Sequence, residues 1–333
     1  MSNSRKPFRE QSLAENIVFI DGISGSGKSM IAPLISTFQR GELWMLNHIF
    51  EYLLIMHSLD EISLDAAQTL MKIYIDHDSY HLMIGRNINF RATDDSSAQK
   101  NNLGNIYKKR MNQTEGDDVM IQMKKDKPIN IFMTHYIFHE SQPLFSALDE
   151  RLKLFIVPVR HPYWLIENWL NQDWDRKMGA NPRDLAIVYK HKENIYPWHA
   201  KGWENLYDSL NRIERAIETI NRLSVSEEEI KDNFSNDEQK KILIIPFELF
   251  ALNPNPFIKE MTAILDSSIT DQTESVMKSM NLPREINPNI FNSKKDELLI
   301  KCEDENVSTK YKDLLLNLAD NYEKKYLGEI INE

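Results

Sequence analysis

NIVFIDGISGSGKSMIAPLISTF, residues 16–38, decides how this chain folds. Asn16 to Ile20 is short, apolar and rich in β-branched and aromatic residues, which predicts a buried strand. Met30 to Phe38 has helical apolar spacing, with Pro33 in the first turn, where its missing N–H costs least. Between them, Gly22 to Ser29 matches G-x4-G-K-[ST] in the strand-to-helix context that the pattern requires. The chain has only 10 glycines, yet Gly22, Gly25 and Gly27 fall within six residues, so the backbone has a special task here. That task is to wrap an anion with successive N–H groups at the positive end of a helix. Lys28 adds a point charge and Ser29 a hydroxyl for a phosphate or a metal. Lys28 is expected to face ligand or solvent rather than core.

Further apolar runs extend the pattern. Ile129 to Met133, Leu152 to Val159 and Ile242 to Phe247 read as strands covered on both faces, and Glu42 to Leu46 as a further strand. Helices are expected over Asn47 to His57, over Leu64 to Tyr74, from Tyr163, over residues 204–223 and from about Phe257. Residues 94–118 read as a surface insertion or mobile loop and 224–240 as a solvated connection. The alternation predicts an α/β chain of the P-loop nucleoside triphosphate hydrolase-like three-layer type, with a central, mainly parallel sheet. Residues 1–15 are expected to form a flexible N-terminus. Residues 16–333 then form one α/β domain with insertions at about 64–118 and 170–240.

Two segments carry a family likeness. Leu154 to Leu170 reads LFIVPVRHPYWLIENWL: a strand, then Arg160-His161-Pro162, then a helix. Ile242 to Leu265 reads ILIIPFELFALNPNPFIKEMTAIL: a strand, then Phe247-Glu248-Leu249, then Asn253-Pro254 and a helix. Together with the loop, and in this order, they resemble the sulfotransferase family. Its members move a sulfuryl group from 3′-phosphoadenosine 5′-phosphosulfate (PAPS) to an acceptor, leaving PAP. The resemblance implies that Gly22 and the stretch Ser24, Gly25, Ser26, Gly27, Lys28 and Ser29 hold the 5′-phosphosulfate end. It also implies that Arg160 holds the 3′-phosphate together with Asn168, which stands where the family has a serine. Glu248 is expected to be a structural, capping carboxylate and Phe247 sheet core. The loop departs from the family pattern: Gly25 precedes Ser26-Gly27 and the lysine follows as Lys28, as in ATP- and GTP-binding proteins. ATP or GTP with magnesium therefore stays as the alternative cofactor, with a small-molecule kinase or a non-catalytic nucleotide-binding protein as the alternative function. Asp21, Asp76 and Asp78 are the carboxylates available to hold magnesium.

Sulfuryl transfer needs a base on the acceptor and positive groups on the transferred oxygens. His135, in Met133-Thr134-His135, follows a predicted strand and resembles the Thr-His of some family members, where the histidine is the base. His48 and Glu51 follow another strand, on the edge where ligands gather in open α/β sheets. Lys28, His135, His48 and Glu51 are thus the catalytic candidates. No metal centre is expected: Asp76-His77-Asp78 with His81 looks like a metal cluster, with His77 and His81 on one helix face, but it lacks a second ligand group at recognisable spacing and reads as a polar helix face. Arg86 to Arg91 is an anion-binding stretch or a salt-bridged surface. Five of the six tryptophans, Trp164 to Trp203, floor a cleft or form core.

Composition narrows the partners. With Lys+Arg 40 against Asp+Glu 50 the chain carries −10, which disfavours nucleic acid and anionic membrane as partners over any broad face. No apolar run approaches the roughly 18 residues of a membrane helix, and Met1 to Gln11 lacks the apolar stretch of a signal peptide. The lone Cys302 excludes an internal disulfide and a cysteine-based zinc cluster. A cytoplasmic protein with a nucleotide cofactor and an acceptor of unknown class is expected.

Overall fold

The computed structural model describes residues 5–328. Its strands are β1 (Asn16–Ile20), β2 (Met45–Leu46), β3 (Ile129–Met133), β4 (Leu152–Val159), β5 (Val188–His191), β6 (Asn194–Pro197) and β7 (Ile242–Pro246). Five of them form one sheet in the order β2-β3-β1-β4-β7, and every pairing in it is parallel. The hairpin β5–β6 lies apart and was not visible in the sequence pattern.

The helices that bear on the site are α1 (Lys28–Ser36), α2 (Ile49–Ser58), α3 (Leu64–Met83), α4 (Pro162–Asn171), α5 (Arg212–Leu223), α6 (Phe247–Leu252) and α7 (Thr309–Tyr322). They cover both faces of the sheet, as the apolar runs require. The period of two along β1 sends Val18 and Ile20 to one core with Ile31 and Leu34 of α1, and Ile17 and Phe19 to the other with Phe50 of α2 and Ile166 of α4. Phe19 stacks on Phe132 and Phe155 of the flanking strands, at ring separations of 5.3 and 6.2 Å. The result is the expected three-layer α/β fold with a parallel sheet. Because all five strands run the same way, the residues after β1, β3, β4 and β7 gather at one edge.

Several local expectations are corrected. The helix expected over 204–223 is broken: Glu204–Ser209 ends and α5 starts afresh, because Asn211 and Glu214 form a reciprocal capping box. The stretch 224–240 holds two short helices, Glu227–Asn233 and Asn236–Gln239, started by capping boxes at Ser226 and Ser235. Residues 94–118 form a largely exposed insertion that is anchored at a few buried points. Tyr107, 1% exposed, donates its hydroxyl to Glu42, whose carboxylate also takes both Nη atoms of Arg110. The strand expected from Glu42 shrinks to two residues, with Gly41 making a lone bridge to Ile129.

Ahead of β1, Asp76 of α3 accepts from Arg9, from the backbone N–H groups of Leu13 and Ala14, and from Arg151. Among the described residues no helix is long and apolar enough to cross a membrane.

Candidate active site

The loop after β1 is built by its glycines. Gly25 and Gly27 take φ of +90° and +108°, a region that favours glycine. A Cβ at Gly25 would lie 2.9 Å from Asn168 Nδ2, and one at Gly27 only 2.5 Å from the Phe247 ring. The loop is therefore pressed between α4 and the start of α6. Asn168 Nδ2 donates to the carbonyl of Ser24 at 3.0 Å, and Arg160 Nη1 to that of Gly25 at 2.8 Å. The residues that the family likeness assigns to a 3′-phosphate thus both touch the loop.

Lys28 lines the cleft above the loop and is little open to solvent, at 6% exposure. The reason is that its ammonium donates to the loop's own carbonyls, at Gly22 and, at 3.3 Å, at Ile23. Burial lowers its pKa to about 8, against the pull of Asp21 and Glu51.

Three residues of this cleft came to light only in the structure. Phe247, expected as sheet core, is half-buried, with the Arg160 guanidinium 4.3 Å and that of Arg284 5.6 Å from its ring centroid. Arg284 follows no motif and carries no sequence signal. Met30 supports it, taking a contact from its Nη2 at 3.1 Å. In the wall of the cleft, Arg160 Nε and Arg284 Nε are buried with no partner among the described residues. Orphaned donors of this kind, beside Lys28, suit an anionic ligand. Glu248 is structural, as expected: it is buried and accepts from the His161 backbone N–H at 3.2 Å and from the Tyr322 hydroxyl.

His135, His48 and Glu51 come together. Glu51 Oε1 accepts from the backbone N–H of His135 at 3.0 Å and lies 2.9 Å from its Nδ1, while Oε2 lies 3.2 Å from His48 Nδ1. The two imidazoles stack with centroids 5.8 Å apart. With Nδ1–H given to Glu51, His135 keeps the lone pair on Nε2. Burial, and then the Lys28 charge, lowers the His135 pKa below 6.5, so the ring is neutral at neutral pH. The Glu51 hydrogen bond raises that of His48. Burial pushes Glu51 up, but its bonds to His135 and His48 outweigh this and hold it below the usual carboxylate range.

A second cleft opens on the far side of this cluster. Ser24, His48, Glu51, His135, Tyr136, Trp174, Asp184 and Leu185 are among its walls, around a cavity of about 280 Å³. Tyr136 is held by stacking on Trp198, with Trp169 and His199 edge-on. Of the tryptophans, Trp169, Trp198 and Trp203 are core, and Trp174 faces the cleft. Ser24 and His135 line both clefts.

The other candidates fall elsewhere. Asp21 is fully buried, taking Thr134 Oγ1 and the Ile137 N–H at 3.0 Å each, and Asp76 is spent on the arginines named above. Asp78 accepts from Asn47. None of the three carboxylates lines the loop cleft. His77 and His81 pair at 4.0 Å between rings, without Asp76. Arg86 and Arg91 pair with Glu115 and Asp94, a salt-bridged surface.

No family model matches the chain, and no curated protein does. Among solved structures it is similar to a sulfotransferase domain from the curacin biosynthetic pathway, at 10% identity and a TM-score of 0.36, covering 79% of this chain and 77% of that one. It is also similar to a sulfotransferase domain from the Synechococcus PCC 7002 olefin synthase, at 13% identity and a TM-score of 0.37, covering 96% and 98%.

Proposed function

We propose that this protein is a sulfotransferase-like enzyme that moves a sulfuryl group from PAPS to an acceptor hydroxyl or amine. The observation that carries the reading is the position of His135: it lines the phosphate-loop cleft on one side and the second cleft on the other, with Glu51 fixing its ring. A donor in the first cleft and an acceptor in the second would meet at this residue.

The residues fit such a donor. Arg160 and Arg284 offer unpaired buried donors, Phe247 offers a ring face, and the loop amides with Lys28 offer a cradle for the phosphosulfate end. PAPS supplies an activated sulfuryl group. With PAPS bound, a bond from sulfur to the acceptor's oxygen or nitrogen would form as the S–O bond to the 5′-phosphate breaks, and PAP would leave with that electron pair. His135 Nε2 takes the acceptor proton, and Glu51 steadies the imidazolium that results. Lys28, with its pKa held near 8, is largely charged at neutral pH and offsets the charge growing on the leaving oxygen.

A thermal-shift panel with PAP, ADP, ATP and GTP, each with and without magnesium, tests the reading. A ligand at 100 times its dissociation constant stabilises by about 2.7 kcal/mol, a readily resolved shift. Stabilisation by PAP without magnesium is expected. A shift from ATP or GTP that requires magnesium, with none from PAP, would replace this reading by the kinase.

A further inference from the structure

We infer that His48, Glu51 and His135 form a binding site for a divalent transition-metal ion, taken up from the side of the second cleft. One ligand atom from each residue lies within 4.8 Å of the other two, the only such three-residue group among the described residues. Two imidazoles and a carboxylate are the donor set that zinc, cobalt and ferrous iron favour, whereas magnesium prefers oxygen ligands.

The spacing fits as well. Neighbouring donors on an ion with bonds of about 2.1 Å stand roughly 3.0–3.4 Å apart. The carboxylate oxygens of Glu51 stand 2.9 Å from His135 Nδ1 and 3.2 Å from His48 Nδ1. An ion there would replace two N–H···O hydrogen bonds with three coordinate bonds, drawing together donors that already lie within 4.8 Å of one another.

The backbone fixes these positions. His48 and Glu51 are one helical turn apart at the start of α2, and His135 is held through its own N–H to Glu51. All three side chains reach the second cleft, so water or a ligand in that cavity can complete the coordination. The ion would take the Nδ1 atoms that Glu51 otherwise orients. Metal binding and the proton-accepting arrangement of His135 therefore exclude one another. Binding itself does not depend on the sulfuryl-transfer reading.

Titration calorimetry of the metal-stripped full chain with zinc chloride, without nucleotide, tests the site. One zinc ion per chain at micromolar or tighter affinity is expected, with cobalt chloride giving the d–d absorption of a nitrogen- and oxygen-ligated ion. His48→Ala is the informative variant because its side chain is 30% exposed and its loss leaves the Glu51–His135 contact in place. It should weaken zinc at least tenfold, and His135→Gln should do the same, with both melting curves near that of the parent. No zinc binding up to millimolar concentration overturns the assignment. So does unchanged affinity in both variants, or a loss on His81→Ala instead, which would put the ion on the His77–His81 pair. Because no nucleotide is present, a negative result here leaves the transferase reading standing, and failure of the PAP panel leaves the metal site standing.

Discussion

His199→Phe tests the packing beneath the second cleft through its pH dependence. Both ring nitrogens of His199 are buried without a partner among the described residues, against Tyr136, Trp169 and Trp198. Burial lowers its pKa from 6.5 to about 3. As pH falls through 6.5, the unfolded chain takes up a proton that the folded chain refuses, so stability drops, and the loss levels off only near the folded value. From pH 7 to pH 5 this one group costs about 2 kcal/mol. At the usual unfolding entropy of ~2.1 cal/mol/K per residue, a chain of 333 residues loses about 3 °C of melting temperature for that amount. Phenylalanine keeps the ring, loses no hydrogen bond and does not titrate. Differential scanning calorimetry of parent and variant at pH 7 and pH 5 should therefore show a fall in melting temperature about 3 °C smaller in the variant. Any fixed cost of the substitution cancels in that comparison. Parallel falls in the two proteins would mean that His199 titrates normally when folded, and the packed floor under Tyr136 would be wrong.

Arg160→Ala should lower the preference for PAP over ADP by about ten- to a hundredfold in calorimetry, since a charge-assisted contact contributes roughly 1.5–3 kcal/mol; an unchanged preference removes Arg160 from the 3′-phosphate. His135→Gln should cut turnover by about 10²–10⁴-fold while PAP affinity holds, and near-normal turnover would shift the base to His48 or Glu51. Because burial lowers the His135 pKa, the acid limb of the parent's rate should lie below pH 6.5, where an ordinary histidine would already be protonated. Gly27→Ala should lower the melting temperature through its 2.5 Å approach to the Phe247 ring, and adding Phe247→Ala should recover part of that loss; strictly additive effects would deny the contact.

The sequence announced the loop, the strands beside it and the edge where they end, because each depends on local pattern: three clustered glycines, continuous apolar runs, an alternation of strand and helix. His135, His48 and Glu51 were legible as positions beyond strand ends, but their joining through one carboxylate depends on β2 and β3 pairing in parallel. Arg284 could not be found, since it reaches the cleft from a segment without motif, through packing on Met30 and Phe247. Phe247 was misread for a related reason: the residue after a buried strand usually continues the core, and here a glycine on a distant loop gives its ring a different neighbour. The broken helix at Asn211 shows the opposite case, where apolar periodicity ran across a boundary that the Asn-x-x-Glu pattern marks.

The clamps on the loop have a thermodynamic consequence. Asn168 and Arg160 draw the carbonyls of Ser24 and Gly25 toward α4, and Phe247 closes on Gly27 from the other side. A phosphate loop free to flex would have to surrender its conformational freedom at the moment of capture, and that loss would subtract from affinity. Here the ordering is settled during folding, so an anion bound as proposed would meet a loop already held in place, and the interaction energy of the amides would be realised as binding.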